Sequence, residues 1–274
     1  MIKAFKPTKN LLNFILFPLM FVISVGLTIL TDKVVLSVFI ATVLLLISMI
    51  ILEFFARKKY IDRRNLFEID CDPESYRDFL LEMLSKKLDK DARMRVNLDL
   101  SYAYYHCGDF RQMRHFLDSV DLGYLKSKRK NILFEGLIFQ YYDMWFFYFL
   151  KFEEIESAER VLKDIDDLFH SSEGMLRELN ESAVRMKHLS LESRKQEIPD
   201  IEEKVEHNSE VDKMLYKDEV FYRVSNKNFL GNYYLRYGIT DKAKECFEFV
   251  VQNGNKLYMV KEAEAILEKL NKEN

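Results

Sequence analysis

The chain has 274 residues and a formal net charge of −3. Residues 1–64 carry nine basic and three acidic side chains, a balance of +6, so the remaining 210 residues together carry −9. An acidic body lacks the basic surface that neutralises phosphates, and this excludes nucleic acid as the expected partner. The chain contains only eight glycines and four prolines, and so few helix breakers favour long helices.

Two apolar stretches stand next to each other near the start of the chain. Residues 11–30 carry no charge, and residues 34–55 carry one, Glu53, near their far end. About 20 apolar residues suffice to cross the hydrocarbon core as a helix. The sequence therefore predicts a transmembrane helical hairpin over residues 11–55, with the lipid bilayer as a partner. A buried hairpin in a soluble protein is the disfavoured alternative, because neither stretch keeps a polar face.

Basic side chains flank the predicted hairpin, whereas its short turn carries a single lysine. Short flanks rich in Lys and Arg stay on the cytoplasmic side of a membrane. We therefore expect a multi-pass inner-membrane protein of bacterial type with both termini in the cytosol. The residues that indicate this topology are Lys3, Lys6, Lys9, Arg57, Lys58, Lys59, Arg63 and Arg64. The predicted order is a basic cytosolic N-terminus over 1–10, the hairpin over 11–55, a basic juxtamembrane linker over 56–71 and a cytosolic helical domain over 72–274.

Helical patterns alternate with helix-ending residues throughout the cytosolic part. Asp72, Pro73 and Glu74 suit the first turn of a helix, and the apolar residues after them recur at helical spacing. No strand-like alternation is found, so the predicted fold class is all-α. The predicted helices cover residues 72–88, 92–107, 110–120, 131–152, 153–169, 174–194, 211–222, 226–237, 241–253 and 261–270, and a solvated loop or frayed helix end covers 195–212.

One pair of predicted helices near residue 238 carries a recognisable motif. Its members are Leu230, Gly231, Tyr234, Gly238, Ala243 and Phe247. Gly231 and Ala243 are small enough to let two antiparallel helices approach closely, and Gly238 suits the end of the first helix. This pattern resembles the tetratricopeptide repeat, a helix–turn–helix unit of about 34 residues. The helix after it would cover the last repeat, as capping elements do in repeat arrays.

Two weaker copies of the motif lie upstream. The first has Leu100, Ser101, Tyr104, Gly108, Met113 and Leu117, and the second has Trp145, Phe149, Ala158 and Leu162, with Phe146 in the glycine place. The two turn glycines are not separated by a multiple of 34 residues, so the resemblance implies a divergent stack of helical hairpins, an α-solenoid without a regular period. The motif of this family specifies helix packing and implies neither catalytic residues nor a cofactor.

Two local features allow more than one interpretation. Residues 137–150 are rich in aromatic side chains, which form either a buried central helix or a groove for a peptide or a lipid surface. We favour the buried helix, because aromatic residues dominate helical cores. Lys126, Lys128, Arg129 and Lys130 form a basic run. It fits a contact with anionic lipid head groups as well as it fits a solvated loop.

The usual sequence motifs of enzymes and metal sites are missing. There is no glycine-rich phosphate loop, no nucleophile elbow and no pair of histidines at zinc-protease spacing. The three cysteines, Cys71, Cys107 and Cys246, are far apart, which fits reduced thiols in the cytosol. We therefore predict no catalytic residue, no metal site, no cofactor and no small-molecule substrate.

The sequence as a whole predicts a membrane-anchored, non-enzymatic binding or scaffold module. Stacked helix pairs present a surface that grips a peptide or a partner helix, and the acidic body favours basic peptides. Two alternatives stay open. One is an accessory or immunity-type membrane protein that acts through its spans, where Ser37 and Ala41 offer a small-residue pair. The other is an enzyme with an unrecognised helical active site.

Overall fold

The computed structural model describes residues 17–31, 34–207 and 220–272. No β-strand occurs among these residues, so the predicted all-α class is confirmed for them. Residues 1–16 lie outside the described part, and with them Lys3, Lys6, Lys9 and the first residues of the predicted first span. Most of the helix predicted over 211–222 also lies outside it.

Twelve helices span most of the described chain. They are α1 Phe17–Thr31, α2 Val34–Glu68, α3 Pro73–Leu84, α4 Lys90–Cys107, α5 Phe110–Asp118, α6 Leu122–Ser127, α7 Ile132–Lys151, α8 Ile155–His170, α9 Met175–Glu192, α10 Val220–Arg236, α11 Thr240–Asn253 and α12 Tyr258–Lys272. A further helical stretch covers residues 201–207. The chain divides into two compact units, an N-terminal unit of Met1–Arg64 with Leu88–Ala92 and a body of Asn65–Lys87 with Arg93–Asn274.

The N-terminal unit exposes its apolar side chains. Sixteen large hydrophobic side chains of its described residues are exposed, among them Phe21 at 71%, Ile29 at 74% and Ile50 at 67%, against five in the body. Within the described ranges, none of the helices qualifies as both long and apolar enough to cross a bilayer. Ala41 of the predicted small-residue pair is buried at 6% exposure, so this methyl group is already covered by the chain itself.

The basic residues predicted as a juxtamembrane linker belong to a helix. Helix α2 continues through them without a break as far as Glu68. Lys58 and Arg63 are exposed along this stretch. Beyond the unit boundary, the ring of Phe67 is fully buried in the body. The predicted linker over 56–71 is therefore mostly helical.

Helices of the body begin at capping residues that the sequence displays. The side chains of Asp72, Asp109 and Asp121 accept hydrogen bonds from backbone N–H groups at the starts of α3, α5 and α6, which satisfies donors that a helix start leaves free. The short helix α6 was not predicted. Residues 201–207 are helical where a loop or frayed end was predicted, and Ile201 and Val205 are buried there.

Helix α7 lies at the centre of the main hydrophobic cluster of the body. Its Ile138, Met144 and Phe146 are buried and pack with side chains of α4, α5, α8 and α9. The cluster borders an ion pair with a buried lysine, because the side chain of Lys187 of α9 is 4% exposed and lies 2.8 Å from a carboxylate oxygen of Asp143 of α7, whose side chain is 25% exposed. Removing Asp143 would leave the buried Lys187 charge unpaired, so this contact helps to hold α7 against α9.

Three helical hairpins of the body turn in the same way. The turn residues are Gly108 between α4 and α5, Glu153 between α7 and α8, and Gly238 between α10 and α11, with φ angles of 80°, 57° and 72°. We call these pairs the first, second and third hairpins. In each turn, the next residue donates its N–H to the carbonyl five residues back, and these bonds are Asp109 to Tyr104, Glu154 to Phe149 and Ile239 to Tyr234 at 2.8–3.0 Å. This is the Schellman arrangement that ends many helices.

Helix α12 contacts both the third hairpin and the first. It packs on α11, and its Tyr258 ring lies 5.5 Å from Tyr105 and 5.4 Å from Phe110. Just before α12, Asn255 donates from its side chain to the carbonyl of Asp70 at 2.7 Å. Repeats in an open array contact only their neighbours, so these long-range contacts are a departure from that behaviour.

Candidate functional site

One face of α7 carries aromatic side chains that are not fully buried. Tyr141, Trp145, Tyr148 and Phe149 are partly exposed, and Phe152, which follows the last residue of α7, is 49% exposed. Residues spaced by three, four, seven and eight positions share one face of a helix. We call these five residues the aromatic stripe.

The rings of the aromatic stripe touch one another along its length. Trp145 stacks on Phe149 with ring centroids 5.4 Å apart, and the rings of Tyr141 and Tyr148 meet Trp145 at steep angles, 6.5 and 5.8 Å away. The ring of Tyr148 lies 4.8 Å from that of Phe152. Stacked and edge-to-face pairs are the geometries that aromatic rings favour, so the stripe is a continuous, pre-arranged surface.

The other face of α7 belongs to the core, where Leu137, Ile138, Tyr142 and Phe146 are buried. The predicted aromatic stretch 137–150 is thus divided between a core face and a partly exposed face. The sequence presented a buried helix and an exposed groove as alternatives, although one helix can have a buried face and an exposed face. Phe152, at the exposed end of the stripe, lies outside the predicted stretch. The helical spacing of residues 141, 145, 148 and 152 is the sequence pattern that indicates the stripe.

Charged side chains border the aromatic stripe on the α5 side. The guanidinium of Arg114 lies over the ring of Tyr148, 5.7 Å from its centroid, and donates to its hydroxyl at 3.4 Å. The same guanidinium lies 3.5 Å from the exposed carboxylate of Asp118. Burial raises the pKa of Tyr141, and the negative charge of Asp118 contributes to this shift. Asp118 is therefore close enough to affect the stripe electrostatically.

The turn of the second hairpin joins several parts of the body. Arg194 and Arg236 each donate to the same carboxylate oxygen of Glu153 at 3.0 Å. Desolvation, together with the neighbouring charge of Arg236, lowers the pKa of Arg194. Next to this turn, Lys151 pairs with Glu262 of α12 and lies over the ring of Tyr258. These ion pairs connect the second hairpin to the third hairpin and to α12.

The predicted repeat residues lie inside the third and first hairpins. A Cβ atom added to Gly231 would lie 2.9 Å from the ring of Phe247, so the two helices are closely apposed at this position. Leu230, Ala243 and Phe247 are buried. The hydroxyl of Tyr234 donates to Glu202 in the 201–207 helix, a contact that the motif does not indicate.

The corresponding residues of the first hairpin are less uniform. Leu100 and Ser101 are fully buried, whereas Tyr104 is partly exposed and stacks on Phe116 at 5.4 Å. At Gly108, an added Cβ atom would lie 2.8 Å from the Cβ atom of Tyr258. The first turn is therefore covered by α12, a contact that no local sequence pattern indicates.

A buried histidine precedes the first turn. His106 is 5% exposed and lies 4.6–5.1 Å from the rings of four aromatic residues, and its Nδ1 has no hydrogen-bond partner. Burial lowers its pKa to about 3. No group of three or more His, Cys, Asp or Glu side chains in the described residues has the arrangement of a metal site. The four aromatic rings around His106 are those of Phe67, Tyr102, Tyr105 and Phe221.

The basic run that begins in the last turn of α6 and continues towards α7 makes contacts within the body. Lys128 lies 4.5 Å from the ring centroid of Tyr124, and Arg129 contacts Glu135 and Ser171. Lys126 lies over the ring of Tyr142. Three of the four basic side chains thus have partners in this chain, which favours the structural interpretation of the run over a contact with lipid.

The chain matches no known family, no curated protein and no solved structure. The contacts of its own residues therefore decide which function is proposed. Among the described surfaces of the body, the aromatic stripe combines exposed aromatic area, continuity and fixed ring geometry. Aromatic side chains and arginine are enriched in protein interfaces and in their energetic hot spots, which makes the stripe the candidate functional site.

Proposed function

We propose that the protein is a membrane-anchored helical module that binds a protein or peptide partner at the cytosolic face of the membrane and catalyses no reaction. The observation that carries the binding part of this proposal is the aromatic stripe, Tyr141 to Phe152, on a hairpin whose other face is locked into the core. A rigid aromatic surface loses little conformational entropy on binding. The resemblance of the third hairpin to a tetratricopeptide repeat supports the same class of function.

The anchoring part of the proposal rests on residue content and exposure. Residues 34–52 of α2 contain no charged side chain, and nineteen residues rise about 28 Å as a helix, close to the hydrocarbon thickness. The exposed apolar side chains of α1 and α2 would face lipid. We propose the anchor although no described helix qualifies as a span, because large exposed apolar area on a helical hairpin needs a cover.

A topology measurement tests the anchor. A reporter fused after Asn274 should be active only on the cytosolic side, and the full chain should sediment with membranes and resist extraction with alkaline carbonate. A chain that remains in solution without detergent, or a reporter active only outside the cell, contradicts the proposed anchor.

A partner measurement tests the binding function. The full chain is crosslinked in native membranes and compared with a chain in which residues 11–55 are replaced by an unrelated two-span hairpin. A specific crosslinked protein that persists after the replacement supports binding by the body. Loss of that protein after the replacement favours the alternative in which the spans themselves make the contact, and turnover of a substrate by the purified chain would contradict a non-enzymatic role.

A further inference from the structure

We propose that the exposed part of the Trp145 ring, at the centre of the aromatic stripe, receives a lysine or arginine side chain from a basic segment of the partner. This inference rests on the proposed binding function and deepens it, because it names the contact point and the chemistry of the partner. The attractive interaction is between a cation and the face of an aromatic ring, which is strongest for tryptophan.

Several partly exposed aromatic rings of the body are covered by basic side chains. The guanidinium of Arg77 lies 5.9 Å from the ring centroid of Tyr104, the ammonium of Lys128 lies 4.5 Å from that of Tyr124, and the guanidinium of Arg223 lies 5.4 Å from that of Phe249. Each cation comes from this chain. Basic side chains of this chain therefore cover several aromatic rings at the periphery of the body.

Trp145 differs from these rings because no basic side chain of the described residues covers it. It stacks on Phe149 and meets the edges of two tyrosines, yet part of its surface stays accessible. The nearest arginine of the stripe, Arg114, is engaged by Tyr148 and Asp118. The ring of the stripe that binds cations best is thus among those that no basic side chain of the described residues covers.

The net charge of the body favours binding of a cation that a partner supplies. The residues after position 64 carry a net charge of −9, which attracts basic partners and repels anionic lipid surfaces. At the edge of the stripe, the Asp118 carboxylate is 55% exposed and lies 3.5 Å from the guanidinium of Arg114, and the charges of Asp118 and Lys126 shift the pKa of Tyr141 in opposite directions. A partner side chain on Trp145 approaches a body of net negative charge, so charge complementarity selects a basic peptide over an anionic lipid surface.

The inference has a direct optical test, because Trp145 is the only tryptophan in the chain. The full chain in neutral detergent micelles is titrated with a short oligolysine and, separately, with an oligoglutamate of equal length. We expect a saturable change in tryptophan emission with oligolysine, weakened by added salt because surface charge is screened, and no saturable change with oligoglutamate. Tryptophan emission that does not change on addition of oligolysine overturns the inference.

Variants separate Trp145 from binding elsewhere on the acidic body. Binding of a fluorophore-labelled oligolysine is followed by anisotropy for the wild type, Trp145→Phe, Trp145→Leu and the matched control Phe249→Leu, each first shown to be helical by circular dichroism. We expect binding to weaken about fivefold to tenfold in Trp145→Leu, less in Trp145→Phe, and not at all in Phe249→Leu, whose ring Arg223 already occupies. Equal affinities for the wild type and Trp145→Leu overturn the inference.

Two further outcomes distinguish this inference from the proposed function. If Trp145 emission responds to vesicles of phosphatidylglycerol and phosphatidylcholine but not to oligolysine, the stripe contacts lipid and the inference is wrong. If Trp145→Leu keeps the crosslinked partner of the wild type with unchanged yield, the body binds its partner elsewhere, so the binding function stands and the role of Trp145 is refuted. Loss of that partner in Trp145→Leu but not in Phe249→Leu supports both.

Discussion

The first and third hairpins of the body have the same turn in different surroundings. Gly108 and Gly238 both adopt positive φ, and the residue after each donates to the carbonyl five positions back. An added Cβ atom at Gly238 would meet nothing within 4 Å, whereas one at Gly108 would lie 2.8 Å from Tyr258. Local sequence therefore specifies the turn, and the rest of the chain decides whether the turn is also an internal contact.

The same comparison extends to the residue two positions before each turn. In the first hairpin this residue is His106, which is buried among aromatic rings, and in the third it is Arg236, which is exposed and paired with Glu153. The first hairpin thus depends on buried contacts at its turn, and the third depends on a charge at the surface. Substitutions at the two turns should therefore lower the free energy of unfolding of the body by different amounts.

The largest expected difference follows from adding one methyl group to each turn glycine. Gly238→Ala should lower the free energy of unfolding of the body by about 1 kcal/mol, because a side chain disfavours positive φ. Gly108→Ala carries the same backbone cost plus an overlap with Tyr258, so we expect a loss of about 3 kcal/mol. Urea titration of the full chain in detergent, followed by circular dichroism, measures both.

A third variant tests the cause of that difference. Tyr258→Gly removes the Cβ atom that Gly108→Ala would strike, so the double variant should recover part of the extra loss relative to the sum of the single variants. If Gly108→Ala and Gly238→Ala lower the free energy of unfolding equally, α12 does not restrict the space at the first turn.

Acid should weaken the first hairpin through His106. Its pKa is about 3 in the folded body and 6.5 without burial, so folding favours the neutral ring. The stability due to this difference is fully present above pH 6.5 and is lost as the pH falls from 6.5 towards 3. At pH 5 the loss is about 2 kcal/mol. Urea midpoints at pH 7 and pH 5 measure it.

The matched variant for this measurement is His106→Phe, which keeps an aromatic ring among Phe67, Tyr102 and Phe221 but has no group that titrates. Its stability should fall by about 2 kcal/mol less than that of the wild type between pH 7 and pH 5. An identical loss in both proteins would assign the acid sensitivity to other groups.

The smallest expected effect concerns the surface charge that supports the third turn. Glu153→Gln removes the negative charge that Arg194 and Arg236 share. Because the Glu153 side chain is 65% exposed, we expect a loss below about 1 kcal/mol. The difference between variant and wild type should shrink in high salt, and a loss that is larger or insensitive to salt would contradict a surface ion pair.

Much of the helical layout was predictable because helix ends have local causes. Asp72 and Asp109 cap helices from a position visible in the sequence, and Gly108 and Gly238 end helices because glycine accepts positive φ. Glu153 has the same backbone conformation without being glycine, so the second turn could be placed only by its periodicity. Helix α6 spans six residues and is too short to give a periodic pattern.

The candidate site was only partly predictable. Aromatic content marked residues 137–150, but the division of α7 into a core face and a partly exposed stripe depends on which helices pack against it. The ion pair between Lys187 and Asp143 and the contact between Gly108 and Tyr258 join residues that are distant in sequence, and no local pattern encodes such pairs. The topology residues Lys3, Lys6 and Lys9 lie outside the described part, so their role stays a prediction.

The contact between residues 70 and 255 has a consequence for biosynthesis. The Asn255 side chain reaches the carbonyl of Asp70 across 185 positions of sequence, and Tyr258 reaches the first turn across a similar interval. At typical elongation rates, roughly 10–40 s separate the emergence of the two partners from the ribosome. Throughout that interval the nascent first hairpin lacks the cover that Tyr258 provides. A ribosome that stalls before codon 258 therefore leaves Gly108 and its neighbours accessible to chaperones.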